Sequence, residues 1–493
     1  MKILLIYPEF PDTFWSFKHA LKFIHKKSSF EPLGLITVAA MLPAKWEKRL
    51  VDMNVQSLTN KDIEWADYAF ISAMVVQSES AKAVITKCKN AGLKIVAGGP
   101  LFTMDHAQYD DVDHLVLNEA EITLYEFLKD LELGTPKHLY ASTEYPDIKE
   151  TPAPLWELVD LKRYASISIQ YSRGCPFDCE FCNVTSLLGH KPRIKSTKQV
   201  IHELDTLYKA GWRKSVFFVD DNFIGNKKVI KEELLPALIE WQSGKVGMPL
   251  STEVSINIAD DTELMELMFA AGFDTVFIGI ETPETEGLAE SNKKQNLHRN
   301  LVADVKRIQR AGLQVQAGFI VGFDSDTQST FQRQIDFIQK SGIVMAMVGL
   351  LQAPAGTKLY KRMEKEGRLT GTFSGNNSGA TTNIIPQMNI DTLQTGYRHV
   401  VKHIYSSKNY YARAKTFLKE YKAPRFTIPL SFNLIWAFLR SAIQLGLFGR
   451  ESFHYWRLLT WTIFHRPKLF SQAVTLSIYG YHFRKVYNNN IAQ

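Results

Sequence analysis

Three of the four cysteines, Cys175, Cys179 and Cys182, fall within eight residues of the stretch SRGCPFDCEFCN (residues 172–183), a C-x3-C-x2-C spacing. Thiolates are soft ligands. Three of them this close, with Gly174 and Pro176 at the turn and Phe181 between the last two, suit an iron–sulfur cluster. A cubane has four irons, so three thiolates leave one iron open to an exchangeable ligand. The alternatives are a zinc site, for which His190 is the nearby fourth donor, and three unrelated buried cysteines. Cys88 stands apart, inside a helical pattern, and reads as a small core residue. Four cysteines in 493 residues are no disulfide framework.

The elements that must position this cluster follow from hydrophobic patterning. A chain of 493 residues needs two or three cores, and 45% hydrophobic with 22% charged residues excludes disordered and low-complexity classes. Residues 1–145 alternate apolar runs (KILLIY, KRLVDMN, AFISAMV, LKIVAGGP, HLVLNEAE) with helical patterns, as a doubly wound parallel sheet requires. Such sheets bind ligands beyond the carboxyl ends of their strands. Residues 146–165, with Pro146, Pro152 and Pro154, read as a linker. Residues 166–370 carry six more strand patterns (SISIQYS, KSVFFVDD, STEVSIN, TVFIGIE, VQAGFIVG, VMAMVGLLQ) separated by helices, which fits a partial (β/α)6 barrel. Residues 371–493 open on a polar Gly/Asn/Thr loop and then turn helical. The fold class is therefore α/β with a mainly helical C-terminal region.

The cysteine signature at the start of a partial βα barrel resembles the radical S-adenosylmethionine (SAM) enzymes. In that family the open iron chelates SAM, and one-electron cleavage yields a 5′-deoxyadenosyl radical. The resemblance extends to FFVDDNFIG, where Asp220, Asp221 and Asn222 stand in the position that touches the SAM amino group. It implies a ribose contact for Glu253 and Ser255, and an adenine contact for Gly318, Ile320 and Gly322 of GFIVG, with Phe181 packing near the ring. Glu281, at the next strand end, lines the same cavity in this reading. Taken singly, these residues also read as strand-end turns, bends and solvated positions.

A doubly wound domain ahead of such a barrel resembles the cobalamin-binding class of radical SAM methyltransferases, over residues 1–389. By position, Ser72, Gln77, Gly98, Gly99 and Thr103 would lie against the corrin and its nucleotide tail. Many cobalamin domains carry an Asp-x-His loop after the second strand; here VDMNVQSL places Asp52, but Asn54 where the histidine would stand. The resemblance therefore implies base-off cobalamin. The branch most resembled contains hopanoid C-2 methylases and bacteriochlorophyllide C-methyltransferases, which implies a 4Fe-4S cluster, SAM and cobalamin as cofactors. It also implies a large apolar substrate, methyl transfer to an unactivated carbon, and an external reductant such as flavodoxin or ferredoxin. The rivals are an oxidative cyclisation or rearrangement on the same cofactors and a non-enzymatic cobalamin or redox sensor.

Charge divides unevenly. Residues 400–493 carry fourteen basic and two acidic side chains, a net +12, which leaves the first 399 residues at −5 within an overall +7. The same tail holds 20 aromatic residues in 94. Aromatic and basic residues together suit a membrane–water interface, and a solvated helical cap is the plainer alternative. No nucleic-acid module is recognisable, so none is expected as a partner. The longest apolar-rich stretch, residues 426–448, is broken by Pro429, Asn433, Arg440 and Gln444, so a spanning helix is not expected. The opening MKILLIYPEF lacks the pattern of a signal peptide, so the expected compartment is the cytoplasm.

Overall fold

The computed structural model describes residues 1–426 and 432–492; Pro429 of the apolar-rich stretch lies outside the described residues. The N-terminal sheet contains β1 (Lys2–Tyr7), β2 (Glu47–Asp52), β3 (Tyr68–Ser72), β4 (Lys94–Gly98), β5 (His114–Val116) and β6 (Leu139–Tyr140). Its order is β2-β1-β3-β4-β5-β6, every pair parallel. The chain reverses direction across the sheet between β1 and β3, the switch point at which doubly wound folds bind ligands. Each face has its own apolar core, one gathered around Leu4, Ile6 and Phe102 and the other around Ile3, Leu5 and Phe127. Burial on both faces explains the near-continuous apolar runs. Two details differ from expectation. The fifth strand stops at Val116, because Ala120–Glu132 is already helical, and the two-residue β6 has too little sequence for periodicity to register.

The central region contains β7 (Ile167–Ile169), a small antiparallel hairpin of β8 (Ser172–Arg173) and β9 (Arg193–Ile194), then β10 (Val216–Phe218), β11 (Leu250–Glu253), β12 (Phe273–Glu281), β13 (Gln314–Val321) and β14 (Ala346–Leu350). The parallel order β14-β13-β12-β11-β10-β7 leaves β7 and β14 as edges, so the barrel is open. The hairpin, absent from the expected elements, carries the cysteine loop between its strands.

The C-terminal helices Ile390–Tyr405, Ser407–Glu420, Ser452–His465 and Phe470–Ala492 share one hydrophobic core with the barrel. They also resolve the β14 edge, whose unpaired backbone groups would otherwise be costly. Tyr405 Oη donates to Ala346 O (2.7 Å) and accepts from Ala346 N–H (3.3 Å). Tyr487 Oη accepts from Val348 N–H (3.3 Å) and donates to Val348 O. Phe483 stacks on Phe14 at 4.2 Å between ring centroids, tying the same helix to the N-terminal segment. No described helix is long and apolar enough to cross a membrane.

Candidate functional site

The cysteine loop leaves β8 at a point held by Asp220. That carboxylate is fully buried and accepts from Tyr171 N–H (3.1 Å), Ser172 N–H and Ser172 Oγ (2.5 Å). Asp220 is therefore an anchor at the root of the loop rather than a wall of the cavity in front of it. Expected at the SAM amino group, Asp220 has its oxygens taken up by these protein donors and does not line that cavity. Beyond it, Cys175, Cys179 and Cys182 face a cavity of about 190 Å3, also lined by Phe181, Asp221, Asn222, Glu253, Ser255 and Glu281. The carboxyl ends of β8, β10, β11 and β12 thus bring six of the ten expected SAM-facing residues to one place. Asn222 Oδ1 accepts from Ser255 N–H (3.2 Å), tying the end of β10 to that of β11.

Among the described residues, no three His, Cys, Asp or Glu side chains converge on a point that could hold a single metal ion. Burial pushes the Cys182 thiol up to about 12 and raises Cys175 and Cys179 as well. Burial also lifts Asp221 to about 6, and burial with the neighbouring Asp221 and Asp220 lifts Glu253 to about 8. Buried carboxyls facing an open cavity favour a cationic ligand, as the ammonium and sulfonium groups of SAM would be.

Two lining residues carried no sequence signal. Lys293 Nζ pairs with Glu281 Oε1 at 2.6 Å, and Gln295 Nε2 points at Cys179 Sγ, 3.8 Å away. Glu281 adopts a left-handed backbone (φ +63°) where the β12–β13 register shifts, a conformation rare for a non-glycine residue. Gly279 makes that pair possible, because a Cβ there would stand 2.2 Å from Glu281 Oε1 and 2.7 Å from Lys293 Nζ.

Gly318 and Ile320 line a second cavity of about 380 Å3, which shares Phe181, Cys182, Phe277 and Glu281 with the first. Its walls are dominated by Met74, Val75, Met104, Phe319, Met347, Leu350, Leu351 and Phe373. Gly322, expected at the adenine with Gly318 and Ile320, lines neither cavity. Its φ is +105°, its N–H is held by Asp326 Oδ2 (2.7 Å), and Leu393 packs against it, so it is a strand-end turn.

On the N-terminal sheet, Ser72, Gly98, Gly99 and Thr103 line a cavity of about 400 Å3 beneath the helix Leu33–Met41. Gly99 has φ +90°, and a Cβ there would reach 2.6 Å from Ser72 Oγ, so only glycine keeps this floor open. Gln77 does not line it. Its Nε2 donates to Pro8 O (2.5 Å) and its Oε1 accepts from Met74 N–H (2.8 Å), so it braces the loop. A further cavity of about 550 Å3 holds Asn54, and shares Met74, Val76, Met347, Gly375 and Asn377 with the apolar one. Connected spaces therefore run from the cysteines to the sheet. Arg173, next to the cysteine loop, pairs with Glu119 (2.6 Å) and Glu121 (2.8 Å) of the N-terminal region, locking the two sides of that path together. Arg193 joins the same Glu119 at 2.6 Å.

Three family models match the chain: B12 binding domain over residues 24–128, Radical SAM superfamily over 169–338, and Domain of unknown function (DUF4070) over 357–493. An uncharacterized methyltransferase of Synechocystis sp. is 39% identical over 98% of this chain and 91% of its own length. The hopanoid C-2 methylase of Rhodopseudomonas palustris is 36% identical over 75% of this chain and 71% of its own length. The bacteriochlorophyllide d C-12(1)-methyltransferase of Chlorobaculum tepidum is 26% identical over 68% and 74%. Among solved structures, the cobalamin-dependent radical enzyme OxsB with aqua-cobalamin bound superposes with a TM-score of 0.61 at 14% identity, covering 100% of this chain and 80% of that one. The radical SAM methyltransferase TsrM of Kitasatospora setae, with cobalamin and a [4Fe-4S] cluster, gives 0.57 at 15% identity, covering 74% and 78%. At these identities the two structures speak for the fold.

Proposed function

The chain belongs to the cobalamin-binding radical SAM methyltransferases, and on that premise we propose that it adds a methyl group to an unactivated carbon of a large apolar molecule, an isoprenoid lipid such as a hopanoid or a tetrapyrrole. The cofactors supply a carbon radical and a transferable methyl group. The protein's own side chains bind, orient and shield. Cys175, Cys179 and Cys182 would hold the cluster, Asp221 and Glu253 would face the cationic groups of SAM, and Phe181, Gly318 and Ile320 would border its adenine. Ser72, Gly98, Gly99 and Thr103 would carry cobalamin on the sheet.

The observation that carries the substrate class is the cavity of about 380 Å3 between those two positions. Its walls are largely Met, Phe, Leu and Ile, with Glu281 as the one charged lining residue, and that carboxylate is neutralised by Lys293. A charged substrate would leave its own charge unpaired there, whereas an apolar one is favoured by burial. Small polar groups remain for orientation in Asn183, Gln352 and Asn377. An apolar substrate of this size partitions into lipid, so the reading extends to peripheral membrane contact. A small one-electron carrier, flavodoxin or ferredoxin, would supply reducing equivalents.

Product counting tests the reaction. Methyl transfer releases S-adenosylhomocysteine and 5′-deoxyadenosine in similar amounts, and cyclisation or rearrangement releases 5′-deoxyadenosine alone. Lipid and pigment profiles of a deletion strain should lack one methylated species. An unchanged profile, or 5′-deoxyadenosine without S-adenosylhomocysteine, would overturn the proposal.

A further inference from the structure

The C-terminal helical hairpin exposes far more apolar surface than the rest of the protein. Ten of the nineteen large apolar side chains exposed among the described residues fall between positions 435 and 464. Their spacing is regular. In Phe432–Ser441 and the turns that follow, Ala437, Ser441 and Leu445 face the core, and Ile435, Trp436, Leu439 and Ile443 face out. In Ser452–His465, Tyr455, Leu458, Leu459 and Thr462 are buried, and Phe453, Trp456, Ile463 and Phe464 are outside. Trp456 Nε1 donates to Gly446 O (3.1 Å) and joins the two helices. The hairpin tip is the most exposed part, with Phe448 83% and Leu447 and Phe453 each 69% accessible. An outward stripe of this size on both helices is not needed for folding, because each helix already buries its opposite face.

The charge of the same region is one-sided. Residues 421–493 contain a single acidic side chain, Glu451, which is buried and paired with Arg484. Arg450, Arg457 and Lys468 stand exposed beside the apolar stripe. Apolar and Trp side chains accompanied by exposed cations, with no exposed acidic side chain in residues 421–493, complement the surface of an anionic bilayer. We infer that this hairpin docks the protein on the face of an anionic membrane, its tip entering the headgroup boundary without crossing it. The inference gives a location to the membrane contact that the functional reading entails, and vesicle binding is scored without substrate or product, so the two can fail separately.

The test is co-sedimentation of the full-length protein with vesicles of phosphatidylcholine alone and of phosphatidylcholine with phosphatidylglycerol. Wild type should bind the anionic vesicles, and binding should weaken as salt rises. Replacing Leu447, Phe448 and Phe453 with Ser should reduce binding more than tenfold, since each removes buried apolar area on the membrane side only. Arg450→Gln with Arg457→Gln should reduce it roughly fivefold per residue. Circular dichroism of these surface variants should match wild type. Absence of binding to anionic vesicles, or binding that ignores all five positions, would overturn the inference. So would a wild-type dimer in buffer that the tip substitutions dissolve, because the stripe would then belong to a second copy of the chain.

Discussion

Lys293 Nζ lies 2.6 Å from Glu281 Oε1, inside the cavity walled by the three cysteines. The lysine comes from the turn that follows the helix Thr285–Glu290, and the glutamate from a strained strand end. Burial opposes charge on both, and each offsets the cost for the other. Lys293→Met leaves an uncompensated carboxylate and should destabilise by about 3–5 kcal/mol in urea unfolding. Lys293→Met with Glu281→Gln should recover most of that loss while still holding less iron than wild type. A double variant no more stable than the single one would show that the pair is not coupled.

The cysteines separate by role. Cys175→Ala, Cys179→Ala and Cys182→Ala should each abolish reductive SAM cleavage and lower the iron bound per chain. Cys88 is buried in the helix Ser78–Asn90, away from the cavities. Cys88→Ala should leave cleavage intact and cost roughly 1 kcal/mol of stability. Full cleavage by a Cys179→Ala protein would refute the ligand assignment.

Tyr405 ties the C-terminal helices to the barrel edge by bonding both backbone groups of Ala346. Tyr405→Phe keeps the ring and leaves those groups buried without a partner. The expected loss is about 1–3 kcal/mol, with iron and cobalamin content unchanged. Stability equal to that of wild type would mean that water replaces the hydroxyl.

Glu31 gives a pH signature. Its carboxylate is buried, accepts from Ser168 N–H at 3.0 Å, and is pushed up to about 8 by burial, with the Asp52 charge adding to the effect. Because the folded state holds this proton more tightly than the unfolded chain, its contribution to stability is full at low pH. That contribution is lost as pH rises from about 4.5 to about 8. Asp220 at about 7 and Glu253 at about 8 act in the same direction, so the measurement is a difference between variant and wild type. Glu31→Gln should flatten the decline in the unfolding free energy measured in urea by an amount on the order of a few kcal/mol. Parallel curves for the two proteins would show that the Glu31 proton is not linked to folding.

The parts legible in the sequence were those with a local physical signature. Parallel strands buried on both faces, such as Ile3–Ile6 and Ala317–Val321, produce near-continuous apolar runs, and ligating cysteines must be close in the chain when one loop holds a cluster. What stayed hidden depends on which way a side chain turns at a strand end. Asp220 and Asp221 are neighbours of the same type, yet one faces inward to Ser172 and the other faces the cysteines. Gln77 and Gly322 likewise spend their polar groups on nearby backbone or carboxylate. Lys293 and Arg173 act through partners distant in the chain, and no spacing rule announces such pairs. The C-terminal aromatics, conspicuous in composition, divide into tyrosines that cap an edge strand and an outward apolar stripe, a distinction that only packing reveals.

Asn54 stands where many cobalamin domains carry a histidine that would ligate cobalt. Its Nδ2 donates to Asp52 Oδ1 (2.7 Å) and Pro8 O (3.2 Å), while its Oδ1 accepts from Phe10 N–H (2.8 Å). Asp52 is itself held by Tyr164 Oη at 2.8 Å, so the loop is braced from two sides. An amide nitrogen has no lone pair to offer a metal, in contrast to imidazole. Asn54 therefore shapes the cavity wall without ligating. Cobalamin reduced to its cob(II) form in this protein should show an electron paramagnetic resonance spectrum without axial nitrogen superhyperfine splitting. Asn54→Ala should leave that spectrum unchanged and cost about 1–3 kcal/mol of stability through the unpaired Phe10 N–H. A nitrogen splitting in the wild-type spectrum would place a protein or nucleotide nitrogen on cobalt and overturn the assignment.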